Sequence, residues 1–148
     1  MPIPACKLEQ YISGETYPRV SGAVFTPGLA DAAEGALAML ALGGVSSGGQ
    51  TAQFSLDAAL SAEAYTIDSD ERGVFVRAGG SAAVVYAAAT LAQVCAEHGG
   101  VLPRCHIEDA PRFGWRGLLF DACRHFFPIQ TLYTLVDLMA YYKYNRLH

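Results

Sequence analysis

Along the first hundred residues, apolar positions recur at helical spacing in two Ala-rich stretches and alternate with polar positions in short runs between them. Gly and Ser stand at the joints, and the order this predicts is strand, helix, strand, strand, helix. Residues 29–42, LADAAEGALAMLAL, place Leu37, Leu40 and Ala41 on one helical face. Asp31 and Glu34 favour the positive end of that helix's dipole, and Gly43 and Gly44 stop it. Residues 53–56 form a plausible short strand, and residues 64–68, AYTID, alternate before the turn SDERG. The turn hands over to Val74, Phe75 and Val76, so this pair predicts a hairpin. Ser81 is placed to cap a second helix running to Val94, in which Val84, Ala87, Leu91 and Val94 share a face that should lie on the sheet. The fold class implied is α/β, an α+β sandwich domain whose sheet carries helices packed on it.

The last third has a different texture. Leu118, Leu119 and Phe120 form a short apolar run, Asp121, Arg124 and His125 follow it, and Pro128 opens a helical pattern. In barrels of alternating strands and helices, the loop after each strand's carboxyl end carries the binding groups, because side chains fill the interior below. Asp121, Arg124 and His125 are therefore candidate ligand contacts. On pattern alone, Asp121 and Arg124 could equally pair with each other and serve only the loop.

Composition narrows the classes. Of the 148 residues, 52% are hydrophobic and 16% charged, enough for one substantial core. A net charge of −4 and a pI near 5.4 leave no basic footprint, which argues against a nucleic-acid partner. Apolar stretches are broken by Gly, Asp or Glu short of the about 20 residues a membrane helix needs, so no membrane span is expected. The start, MPIPACKLEQ, shows no secretory pattern, and localisation stays open. Cys6, Cys95, Cys105 and Cys123 lack the paired spacing of a zinc site and read as ordinary thiols; Cys105 beside His106 has no partner pair, so no metal is expected. The glycines at 43, 48, 79 and 99 fit no phosphate-cradling motif and read as turn residues. His98 and His106 take surface or hydrogen-bonded roles, and Tyr141 and Tyr142 belong to helix packing.

The segment reading PRF, WRG, LLFD and CRHF resembles the opening of the catalytic barrel of glycoside hydrolase family 20, the β-N-acetylhexosaminidases. Residues 135–148, LVDLMAYYKYNRLH, are similar to that family's first barrel helix and the KxNxLH entry to its second strand. Upstream, EAYTI and TLAQV look like parts of the non-catalytic domain that precedes the barrel. The resemblance implies a leading α/β domain at 1–110 and, at 111–148, the truncated start of a (β/α)8 TIM barrel, which in full takes about 250 residues. It implies hydrolysis of terminal N-acetylglucosamine or N-acetylgalactosamine, with the substrate's own acetamido oxygen attacking the anomeric carbon and no cofactor. The family's Asp–Glu catalytic pair would lie beyond His148, so no catalytic residue is assigned here and the chain alone should be inactive. Arg124 matches the arginine that grips hydroxyls of the terminal sugar, with Asp121 and His125 in support and Arg116 structural. Trp115 is expected to be buried at the domain junction. Barrel elements without neighbours would expose apolar surface and invite self-association, folding back or mobility. The alternative is a free-standing carbohydrate-binding or interaction module without catalysis.

Overall fold

A computed structural model describes residues 1–17, 20–43 and 50–148 of the chain. The expected roles of Gly44 and Gly48 lie outside those residues. Six strands form one mixed sheet: β1 (Leu8–Tyr17), β2 (Val20–Phe25), β3 (Gln50–Leu56), β4 (Tyr65–Asp70), β5 (Gly73–Ala78) and β6 (Leu102–Asp109). Their spatial order is β1-β6-β4-β5-β3-β2. β2, β3 and β5 run parallel to one another, while β4 pairs antiparallel with β5 and β6, and β6 with β1. The α+β character expected from the sequence is therefore present. Two strands, not one, precede the first helix, three rather than two lie between the helices, and β6 adds an element beyond the predicted order.

Period-two alternation sorts the side chains between the two faces of the sheet. Phe25, Phe54, Val76, Ile67 and Ile107 stand in register across five strands and face the helices. The intervening positions, among them Gln53, Arg77, Asp68 and His106, line the opposite, polar face. The predicted hairpin is present, with Ile67 opposite Val76 and Asp70 opposite Gly73. Gly73 has φ +143°, a conformation open to Gly and rarely to other residues, which lets the chain reverse over two residues.

Helices α1 (Ala30–Leu42) and α2 (Ser81–Glu97) cover the apolar face. Val84, Ala87, Leu91 and Val94 are each fully buried, as their spacing predicts. The alanines of α2 do more than favour helix. Small side chains bring α1 so close that a Cβ at Gly43 would sit 2.6 Å from Ala92 Cα. Two details differ from expectation. The buried residues of α1 are Ala32, Ala36, Met39 and Leu40, while Leu37 and Ala41 turn outward, Leu37 being 46% exposed. The stripe is set by the side of α1 that meets α2, with Ala32 and Ala36 inward along its first half and Met39 and Leu40 inward near its end. Gly80, not Ser81, is the N-cap of α2, and no side chain caps that end.

The remaining elements are β7 (Gly117–Leu118), α3 (Ile129–Tyr141) and β8 (Arg146–Leu147). β7 and β8 pair in parallel, and the ladder continues through Phe120 N–H to His148 O at 2.7 Å. Pro128 stands at the N-cap of α3, where its fixed φ and missing N–H cost nothing. α3 lies against α2 and α1, so this unit folds onto the leading sheet domain. No helix among the described residues is long and apolar enough to cross a membrane.

Candidate substrate-binding loop and its anchorage

The loop after β7 is organised by Asp121. Its Oδ1 accepts the backbone N–H of Cys123 at 2.9 Å and of Arg124 at 3.1 Å, a short turn of the kind Asp side chains form with their own chain. Its Oδ2 accepts from Arg124 Nε. Those bonds, from the Arg124 backbone first and then its guanidinium and the Cys123 N–H, hold the Asp121 carboxyl below the usual carboxylate range. The Arg124 side chain is 88% exposed, and among the described residues its two terminal NH2 groups have no hydrogen-bond acceptor. Asp121 thus fixes one edge of the guanidinium while four N–H donors point outward. His125 packs edge-on against Phe127 at 5.0 Å between centroids, and Phe127 in turn lies 4.6 Å from Phe120. The structure therefore brings Asp121 and Arg124 together and sets His125 into an aromatic stack beside them.

Below β7, Arg116 and Lys143 tie this unit to the sheet domain. Arg116 Nη2 donates to Glu63 Oε1 at 2.6 Å and to Tyr86 Oη at 2.9 Å, and its Nε donates to the Lys143 carbonyl at 2.7 Å. The hydrogen bonds from Arg116 hold the Glu63 carboxyl below its ordinary value. Asn145 closes the same corner, accepting the Arg116 N–H at 2.9 Å and donating to the Gly114 carbonyl. Lys143, at φ 63°, turns the chain out of α3 and buries its ammonium, which donates to Tyr65 Oη at 2.8 Å and Asp109 Oδ2 at 2.9 Å. Tyr65 donates to the same Asp109 oxygen and meets Thr90 Oγ1 at 2.7 Å. Burial raises the Tyr65 hydroxyl well above its ordinary pKa, so it remains a donor at any working pH.

Trp115 corrects an expectation. It is 64% exposed, not buried at the junction. Its indole lies over Gly117, where a Cβ would come within 2.7 Å of Nε1, and it borders a cavity of about 260 Å³ shared with Leu118, Arg146 and His148. Arg116 holds the junction in its place. Among the described residues, no cluster of His, Cys, Asp or Glu has the arrangement of a metal site.

Residues 20–110 match the family model for glycosyl hydrolase family 20, domain 2, and residues 113–148 match that for the family's catalytic domain. The chain belongs to glycosyl hydrolase family 20. Among family 20 relatives, a beta-hexosaminidase of Akkermansia muciniphila is 41% identical over 92 residues, which are 60% of this chain and 19% of that protein. A beta-N-acetylhexosaminidase of Cellulomonas fimi is 39% identical over 58% of this chain and 18% of its own length. Among solved structures, a family 20 beta-N-acetylglucosaminidase superposes with a TM-score of 0.81 at 32% identity, over 99% of this chain and 30% of that one. The family 20 exo-beta-N-acetylglucosaminidase of Vibrio harveyi, solved with N-acetylglucosamine, gives 0.81 at 25% identity over 99% of this chain and 24% of its own. The chain thus spans about a fifth of the length of the curated relatives it matches.

Motif reading singled out the loop residues but missed the anchors Glu63, Tyr86, Asp109 and Lys143. A signal existed for Lys143, a lone charge among the tyrosines of YYKYN, where burial without a partner is costly and a partner is therefore implied.

Proposed function

We propose that this chain supplies the leading domain and the opening strand and helix of the catalytic barrel of a β-N-acetylhexosaminidase, the sheet domain occupying 1–110 and the barrel elements 111–148. In this reading Arg124 binds hydroxyls of a terminal N-acetylhexosamine, Asp121 positions it, and His125 supports the loop wall. The observation that carries the reading is Arg124 itself, pinned through Nε at the carboxyl end of β7 with its remaining donors facing outward. A planar fork of that kind suits two adjacent sugar hydroxyls and stays charged at every relevant pH. The chemistry belongs to the substrate's acetamide and to two carboxylates, one orienting the acetamide and one protonating the leaving oxygen. Neither carboxylate is assigned to these 148 residues.

The test is hydrolysis of a chromogenic β-N-acetylglucosaminide by this protein and by a form extended through the downstream coding sequence. Activity confined to the extended form supports the reading. In that form Arg124→Gln should cost about 10²-fold in kcat/KM, since positioning contacts contribute on this scale. Activity in the short form would refute the assignment of the carboxylates.

The exposed Trp115 favours a second reading, a non-catalytic carbohydrate-binding module, because an indole beside a cavity that Arg146 and His148 also line suits stacking on sugar. A glycan array with the 148-residue protein decides it: saturable binding lost in Trp115→Ala promotes the module. The apolar side of α3 also supports association between copies, which sedimentation across a concentration series would detect.

A further inference from the structure

We propose that the cavity at the seam between the sheet domain and the β7–α3–β8 unit binds a small organic anion, a carboxylate or phosphate carried on a ring-sized apolar body. The cavity holds about 370 Å³, within the roughly 300–1,000 Å³ of small-molecule sites. Its walls are apolar where Pro4, Pro111 and Phe113 contribute, and basic where Lys7, Arg112, Arg116 and Lys143 do.

Two of those four cations are already matched, Lys143 by Asp109 at 2.9 Å and Arg116 by Glu63 at 2.6 Å. Among the described residues, Lys7 and Arg112 make no ion pair, so the lining carries surplus positive charge in a chain of net charge −4. Low-dielectric walls focus such charge into a concave site and draw anions to it. The ammonium of Lys143 adds a buried, directional donor. It is 3% exposed, and Tyr65 and Asp109 take two of its three protons, leaving one donor on a side chain that lines the cavity. An anionic oxygen would complete that set, while the exposed Phe113 offers ring surface to the rest of the ligand. Cys6 brings no opposing charge, since burial pushes its thiol up to about 11.

The site lies where the chain enters β7 and β8, whereas Asp121 and Arg124 follow the far end of β7. The proposal therefore stands apart from the glycosidase reading, and either can fail alone. Titration of the 148-residue protein with phenyl phosphate, benzoate, inorganic phosphate and benzyl alcohol tests it, followed by backbone amide shifts and thermal melting. The expected result is saturable shifts at Cys6, Lys7 and Arg112 and a raised Tm with at least one aromatic anion; its preference between the two separates phosphate from carboxylate. Benzyl alcohol and inorganic phosphate should each bind at least tenfold more weakly, and a Lys7→Gln, Arg112→Gln variant should lose about tenfold in affinity. Both substituted side chains are exposed and lie outside the buried network, so the variant retains its fold. Absence of saturable shifts with both aromatic anions, or unchanged affinity in the variant, overturns the proposal. Inorganic phosphate binding as tightly as phenyl phosphate would remove the organic body from it.

Discussion

Helices α2 and α3 are alike in sequence terms, apolar and without a side-chain cap, yet most of α2 is buried whereas Met139 is the one buried residue of α3. The difference comes from neighbours. α2 has the sheet on one side and α1 and α3 on the other; α3 touches α1 and α2 along one flank alone. Ile129, Tyr133, Val136 and Leu138 of α3 are consequently exposed. Hydrophobicity in a helix records how many layers it is made for, and an uncovered apolar face marks a surface suited to a further layer.

The seam joining these helices offers the largest perturbation. Asp109→Ala leaves the Lys143 ammonium buried without its counter-charge and should cost about 3–5 kcal/mol in urea unfolding. The double variant with Lys143→Met should recover most of that loss; if it does not, the pair is not what holds the seam. Leu91→Ala, in the doubly covered helix, should cost about 3 kcal/mol by the same measurement, because the packed site collapses poorly around the missing methyls.

A smaller effect sits on the open face of the sheet. His106 Nδ1 meets Asp68 at 2.6 Å and Nε2 meets Glu108 at 3.0 Å, and these two carboxylates raise the histidine pKa above its ordinary value, Asp68 the more strongly. A raised folded-state pKa means the added stability is fully present below the unfolded value of about 6.5 and is lost as pH rises through the folded value. Melting curves between neutral and mildly acidic pH should therefore show Tm climbing on acidification, with a flatter profile in His106→Gln. The smallest expected effect is on α3: Tyr133→Thr should stay within about 0.5 kcal/mol. A loss comparable to that of Leu91→Ala would show that the exposed side of α3 is covered in solution, by a second copy for instance.

Legibility followed the same division. The hairpin, α2 and the strand, loop and helix around Asp121 were readable because alternation, turn chemistry and Pro128 are local signals. β1 was not: it is an edge strand paired with β6 alone and irregular between Tyr11 and Thr16, so its residues carry no sustained alternation. β6 carries a usable pattern, with Cys105 and Ile107 inward and His106 and Glu108 outward, but its neighbour β4 is distant in sequence. Leu37 and Trp115 were misplaced for one reason. Periodicity names the apolar residues of a segment, and only the arrangement of neighbouring elements decides which of them are covered. The Asp121–Arg124 pairing could be anticipated from proximity in sequence, whereas the Glu63–Arg116 and Asp109–Lys143 contacts join positions that no local pattern connects.

Because Leu8 lies opposite Glu108, β1 can take its place in the sheet only after β6, far along the chain, has been made. Until then β1 has no partner in the sheet, while the hairpin of β4 and β5 can already close locally, and the long loop that β1 must finally seal is the entropically slow step. Deletion of β1 therefore acts late in maturation, by leaving the outer edge of β6 open to pairing with other chains.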